Sequence, residues 1–295
     1  MDISRNHDRI GFIVPLTISS NNNMKKVRDL IVQSGVVHFS HFETRPSRLF
    51  EGADQRLTIF MISQGMRKYS YSTSVLRWIS ELRENLFSTI YYGETFNDNR
   101  LWRMAADVEN RVYKKFKMHK EIFNRRRTDG SCAMQLWYRT AGVRYWIIFS
   151  NKGFGTESLS NKVSYFSSSA EAQFFMAALN SNLFWWYYAV NFDMFNLKNY
   201  MIFGFTLNYQ QDSDMCKKAA ELEHDMYKHR EIQSVNRATL GKGETFVYRK
   251  KFSKPIIDEI DELLAKHYGF TEEELDFIIN YDIKYRRGDQ LNGGE

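Results

Sequence analysis

Between Arg9 and Ile62 the chain reads as strand, helix, strand, strand, and this order limits the fold more than any other feature. Arg9 to Pro15 is a short apolar run ending at proline, as a buried strand does. Ser19 and Ser20 can cap a helix in which Met24, Val27 and Ile31 recur at helical spacing, and Gly35 stands where a glycine stop belongs. Val36 to Phe42 and Leu57 to Ile62 are rich in β-branched and aromatic residues, which suit a pleated, half-buried surface. Strands separated by a helix point to an α/β sheet. Three strands are too little sheet to stand alone, so the segment is expected to be the closing half of a larger one.

Beyond Gly65 the pattern is mixed and aromatic. Strands are expected at Arg67 to Tyr71, Met134 to Arg139, Val143 to Phe149 and Val163 to Phe166. Helices are expected at Leu101 to Phe123, Ala170 to Val190 and Asp214 to Asn236, with a loop from Asn124 to Ser131 and a break at Gly241 and Gly243. In the tail, Ile257, Ile260, Leu263 and Leu264 share one helical face that ends at Gly269. Thr271 and Glu274 then form a capping box, each side chain satisfying a backbone N–H of the other. A helix pair follows from that spacing. The expected class is mixed α/β, with boundaries near residues 65 and 240.

Composition excludes several classes. Two cysteines are too few for a disulfide-stapled secreted domain, and the first residues show no basic-then-apolar leader, so a cytoplasmic protein is expected. Phe174 to Phe192 is apolar but carries Asn180, Ser181 and Asn182 at its middle, which disqualifies it as a membrane span of about 20 unbroken residues. His38 and His41 point to opposite faces of a strand, and His224 and His229 are badly spaced on a helix, so no metal site is expected. No Gly-x-Ser-x-Gly elbow and no phosphate-binding Gly-x-x-x-x-Gly-Lys loop is present, and Gly153-Phe154-Gly155 reads as a plain loop. The net charge of +6 is concentrated: residues 100–150 hold twelve Lys and Arg against four Asp and Glu. A basic stretch of this kind suits a polyanion.

Five segments carry a family likeness. They are Gly11-Phe12-Ile13-Val14-Pro15; Arg45-Pro46-Ser47-Arg48-Leu49-Phe50-Glu51-Gly52 followed by Arg56-Leu57-Thr58-Ile59-Phe60; Tyr138 to Trp146; Leu179 to Tyr188; and Tyr268 to Arg286. In this order they resemble the C-terminal part of adenine-N6 DNA methyltransferases of the type IIG restriction–modification class. The resemblance implies the end of a Rossmann-like methyltransferase sheet over 1–65, a DNA target-recognition domain over 66–240 and a helical tail over 241–295.

The resemblance also defines what the sequence lacks. Such enzymes bind S-adenosylmethionine at a Gly-rich turn and hold the target amine in an Asn/Asp-Pro-Pro-Tyr/Phe loop. The prolines here are Pro15, Pro46 and Pro255, so no Pro-Pro loop exists. The chain therefore looks like a truncated or split enzyme, inactive and without S-adenosylmethionine on its own. An N-terminal methyltransferase or nuclease polypeptide would complete it. By the same likeness, Phe50 is the aromatic that stacks on the flipped adenine. Double-stranded DNA is the expected partner, contacted by Lys114, Lys115, Arg125, Arg126, Arg127, Arg139 and Arg144. No membrane partner is expected. A non-catalytic, sequence-specific DNA-binding protein is the competing reading.

Overall fold

The computed structural model describes residues 9–127, 134–141, 146–156, 158–237 and 241–286. They fall into two compact units, one drawn from Met1–Arg111 and Tyr188–Asp193, the other from Val112–Tyr187 and Met194–Glu295.

The first unit opens with β1 (Arg9–Pro15), α1 (Thr17–Ser20), α2 (Lys25–Gln33), β2 (Gly35–Phe42), β3 (Leu57–Gln64), β4 (Tyr69–Leu76) and β5 (Gly93–Glu94). They build a mixed sheet in the order β1-β3-β2-β4-β5. Strand β3 runs antiparallel to both β1 and β2, so those two are parallel to each other, and β4 adds a parallel pair with β2. One face packs Val37, Phe39, Phe60 and Ile62 against Ile31 of α2 and Leu101. The other packs Phe42 and Leu57 against Leu49, Trp78 and Leu86.

Gly35 directly follows Ser34, the C-cap of α2, where the stop is expected, and it also opens β2; a Cβ there would lie 2.2 Å from the Ser63 carbonyl oxygen of the paired strand. Two local expectations change. Asn21, whose side chain accepts from Asn23 N at 2.9 Å, caps the turn leading into α2, while Ser19 and Ser20 lie buried inside α1. The strand expected at Arg67 to Tyr71 starts two residues later and runs to Leu76.

Arg103, one of the twelve cations of the basic stretch, and Arg28 are interior braces of this unit. The Arg103 guanidinium is fully buried and donates to Ser19 Oγ at 2.6 Å, to the Ala189 carbonyl at 2.6 Å and to the Phe192 carbonyl. Arg28 donates to the carbonyls of Ile18 and Asn21 at 2.9 and 2.8 Å. Buried cations are tolerated when oxygen atoms replace their lost hydration.

In the second unit, β6 (Met134–Arg139), β7 (Phe149–Ser150) and β8 (Asn161–Phe166) form an antiparallel sheet ordered β7-β6-β8. The helices are α3 (Asp107–Phe116), α4 (Ser169–Leu179), α5 (Asn182–Asn191), α6 (Asn199–Phe203), α7 (Ser213–Lys228), α8 (Lys254–Tyr268), α9 (Glu272–Asn280) and α10 (Ile283–Arg286). Helices α3 and α5 each begin in one unit and end in the other by residue number. Strands β9 (Arg230–Arg237) and β10 (Gly241–Tyr248) pair as an antiparallel hairpin. Among the described residues, no helix is long and apolar enough to cross a membrane.

The single helix expected over Ala170 to Val190 is broken into α4 and α5 by its polar notch. Asn180 exchanges hydrogen bonds with the backbone of Phe149, accepting at 3.2 Å and donating at 2.9 Å. Ser181 Oγ caps α5 by accepting from Phe184 N at 3.0 Å. Asp261 of α8 takes the N–H groups of Asn182 and Leu183 at 2.9 and 3.0 Å, and Asn182 Nδ2 at 2.8 Å. These are the unpaired donors that every helix start leaves. Arg286 closes the knot, donating to Asn182 Oδ1 at 2.5 Å with its guanidinium 4.0 Å from the Trp146 ring centroid. The Tyr281 to Arg286 motif thus pins the tail onto the start of α5, with Asp282 also accepting from Trp185 Nε1 at 3.1 Å.

Other expectations are redrawn by packing. The helix expected at Leu101 to Phe123 is confined to Asp107–Phe116, and the long polar helix ends at Lys228, after which Arg230 to Arg237 turns into hairpin strand. Gly241 and Gly243 lie inside β10 and are not a break. Of the strand expected at Val143 to Phe149, Val143 to Tyr145 falls outside the described residues, and only its end, in Phe149–Ser150, is strand. The helix pair α8–α9 and its capping box are as the spacing predicts, with Gly269 left-handed at φ 66°.

His41 supplies a test of the first unit. Burial pushes its imidazole well below the usual value, with the Arg103 charge acting in the same direction. Its ring nitrogens bond Thr58 Oγ1 at 2.9 Å and Ser72 Oγ at 3.1 Å. A depressed histidine stabilises the fold above its unfolded pKa of about 6.5 and opposes it as pH falls below that. Urea unfolding at pH 7, 6 and 5 should therefore show the wild type losing more stability than His41→Gln. The gap should grow by up to about 1.4 kcal/mol per pH unit below 6.5. Parallel pH slopes for the two proteins would contradict this.

Candidate nucleic-acid interface

The loop joining β2 to β3 is closed at its base by a buried carboxylate. Glu43 accepts from Arg56 Nε at 2.6 Å and from Thr44 N at 2.9 Å, with Arg77 Nη2 at 3.8 Å. Burial alone would raise its pKa, yet the Arg56 charge and these donors hold it below the usual carboxylate range. Higher in the loop, Leu49 is buried among Phe42, Leu57, Trp78 and Leu86. The ring of Trp78 meets Phe42 edge-on at 5.9 Å.

Phe50 follows directly and is 44% exposed. Leu49 is the core anchor of this segment; the Phe50 ring is left in solvent. The chain then turns, with Ala53 N donating to the Phe50 carbonyl at 3.3 Å and Gly52 at φ 74°, where a side chain would be strained.

A second segment is laced to this loop. Arg83 donates to the carbonyls of Arg48 and Leu49 at 2.6 and 3.0 Å. Ser47 N donates to the Trp78 carbonyl at 3.1 Å, and the hydroxyls of Ser47 and Ser80 are 3.0 Å apart. Between the segments opens a basin of about 550 Å³ whose lining includes Arg45, Arg48, Arg83, Ser47, Ser80 and Glu51. Sequence reasoning missed this cluster. Arg45 and Arg83 are 38 positions apart, and only the family-like Arg45-Pro46-Ser47-Arg48 run marked one wall.

The seven basic residues expected to meet DNA are not equivalent. Lys115 Nζ bonds Glu274 at 2.6 Å and the Gly269 carbonyl at 2.6 Å, tying α3 to the tail. Lys114, one position earlier, is exposed. Arg139 is half-buried and spent internally: it donates to Asn161 Oδ1 at 3.2 Å and the Phe246 carbonyl at 3.0 Å, and its guanidinium covers Phe154 at 4.7 Å. Arg144 lies outside the described residues.

The Arg125 to Arg127 run is anchored and is not a free loop. Residues Ile122–Arg125 form a 3₁₀ turn. Arg125 pairs with the buried Glu171 at 2.6 Å and lies over Tyr209; Arg126 donates to Ser164 Oγ at 3.1 Å and lies over Phe203. Arg127 donates through its backbone N–H to the Tyr165 carbonyl at 2.8 Å and through Nε to Ser167 Oγ at 3.1 Å. Arg125 and Arg127 are exposed, Arg126 half-buried. The three form a braced ridge with positive charge still facing water.

Other aromatic and histidine features resolve as packing. Trp185, Trp186, Tyr187 and Tyr188 are all buried. Phe154, between two left-handed glycines, is buried against Tyr248. His38 stacks on Tyr71 while His41 points to the opposite face. Compared with protein-family models and with curated proteins, the chain matches none.

The exposure of Phe50 beside a buried Leu49 gives a stability test. Phe50→Ala should change unfolding free energy by no more than about 0.5 kcal/mol. Leu49→Ala should cost about 2–5 kcal/mol. Chemical denaturation of both variants checks this, and a large loss at Phe50 would make it a core residue after all.

Proposed function

We propose that this chain is the C-terminal part of a site-specific adenine-N6 DNA methyltransferase of a restriction–modification system, contributing target recognition and flipped-base stacking. The observation that carries the reading is the order β1-β3-β2, a parallel pair crossed over by α2 with an antiparallel strand between. A closing half-sheet would contain that order, which β4 and β5 extend on the far side of β2. Strand β1 is its edge, and Phe12 and Ile13, on opposite faces, are both more than half exposed. An edge that no described strand covers, with apolar residues on both faces, invites another chain. An N-terminal methyltransferase or nuclease polypeptide would supply the strands and helices that cover it.

Adenine N6 is inaccessible in a stacked duplex, so the base must leave the helix before methyl transfer. An extrahelical base needs a flat partner to replace its former neighbours, and an exposed ring on a braced loop provides one. Phe50 has that exposure and that bracing. Stacking of this kind is worth about 1–3 kcal/mol per base. On this reading the Gly-rich turn for S-adenosylmethionine belongs to an earlier part of the sheet than β1, and the Pro-Pro loop for the target amine is absent from the sequence. Binding and transfer of the methyl group therefore belong to the completing polypeptide. Lys114 and the Arg125–Arg127 ridge would meet phosphates.

A non-catalytic specificity protein remains the second reading, favoured by the missing cofactor turn and Pro-Pro loop. Both readings require duplex binding; they diverge when an N-terminal polypeptide bearing those motifs is added, since only the first then gains methyl transfer.

The full chain should bind labelled duplex DNA, with log affinity falling steeply and linearly against log salt. Arg125→Ala, Arg126→Ala and Arg127→Ala together should flatten that slope by about 0.9 for each phosphate the ridge no longer neutralises. Calorimetry with S-adenosylmethionine alone should show no saturable complex. Absence of duplex binding at low salt would overturn the DNA reading.

A further inference from the structure

Neither the family likeness nor the base-stacking reading assigns a role to the basin beside Phe50. Its walls are the loop carrying Phe50 and the 3₁₀ turn Ser80–Asn85. Three arginines are among its lining residues: Arg45, Arg48 and Arg83. Glu51 also lines it, and Arg48 approaches Asp54 at 3.6 Å with both side chains exposed. Such a long, solvated pair contributes little and leaves Arg48 available to a better ligand.

The three arginines differ in function. Arg83 uses two of its nitrogens on the carbonyls of Arg48 and Leu49, so it sets the shape of the wall. Arg45 is exposed and has no hydrogen bond or ion pair among the described residues. Its planar fork is matched to the paired oxygens of a phosphate. The Ser47 and Ser80 hydroxyls, 3.0 Å apart, add neutral donors at the same place. A volume of about 550 Å³ admits a nucleotide-sized group.

We propose that this basin binds a phosphodiester of the DNA strand, next to the base stacked on Phe50. Phe50 lies between Arg48 and Glu51, both of which line the basin, so backbone and base of one nucleotide region are held by one loop. The Arg83 hydrogen bonds would fix the spacing between the two sites. The inference rests on the DNA reading and deepens it, naming a backbone clamp that fixes where an extrahelical base emerges. Free phosphate or a mononucleotide carries the same chemistry and is the alternative source.

The test uses the full chain, a fluorescein-labelled duplex, and Arg45→Ala and Arg45→Glu. Arg45 is exposed and unpaired, so thermal unfolding should be unchanged in both variants. Arg45→Ala should flatten the salt slope of duplex binding by about 0.9, the signature of one phosphate left unneutralised. Arg45→Glu should weaken binding further, and millimolar inorganic phosphate should compete poorly against the duplex. If the wild type binds duplex and both variants keep its affinity and slope, the clamp is wrong while the DNA reading stands. If the wild type binds no duplex but takes up inorganic phosphate or AMP in an Arg45-dependent way, the DNA reading fails. The phosphodiester assignment then fails with it.

Discussion

The buried carboxylate of Glu43 is the interaction on which the candidate site depends. It draws Arg56, Arg77 and the Thr44 N–H to one point and so closes the base of the loop between β2 and β3. With the base closed, Leu49 can be driven into the core and the next residue must face out. Arg83 then fixes the backbone at Arg48 and Leu49 from the other side. The ring at that position is left partly in water, where the proposed stacking against a base would cover it. Removing one partner from a buried ion pair is far more damaging than lacking the pair altogether, so the loop is braced by an all-or-none device.

The second unit is organised by a comparable polar knot. Asp261, Asn182 and Arg286 join the start of α5 to α8 and α10, and Lys250 reaches Asn180 Oδ1 at 2.7 Å nearby. Apolar residues around it are non-directional and could pack in several registers. The knot specifies one, because each buried donor finds its acceptor only in that arrangement. It also gives the Tyr281 to Arg286 segment a structural role.

Much of this was legible in the sequence where local chemistry decides structure. Strands β1, β2, β3 and β6 follow from β-branched and aromatic runs, and α9 from the reciprocal bonding of Thr271 and Glu274. Legibility failed where distant groups decide. Asn180 looks like a polar interruption until Phe149, 31 residues away, is seen to need its amide. Arg103 adds to a basic stretch in the sequence but is spent inside the fold on Ser19, Ala189 and Phe192. The β9–β10 hairpin was hidden because glycines in a strand carry no side-chain pattern, and a polar helix preceded it. The basin needed the Ser80–Asn85 turn, which nothing in the Arg45 to Gly52 run foretells. The exposure of Phe50 was equally unreadable, since Leu49 and Phe50 are both apolar and only the sheet decides which is buried.

The central claim is that Phe50 receives an extrahelical base, and target-site fluorescence tests it most directly. A duplex carrying 2-aminopurine opposite an abasic site places a brightening probe where leaving the stack is least costly. On titration with the full chain, wild-type protein should bind and quench the unstacked probe against the ring. Phe50→Ala should bind with similar overall affinity and leave the probe bright, and Phe50→Trp should restore quenching. Identical fluorescence from bound wild type and bound Phe50→Ala would contradict the claim.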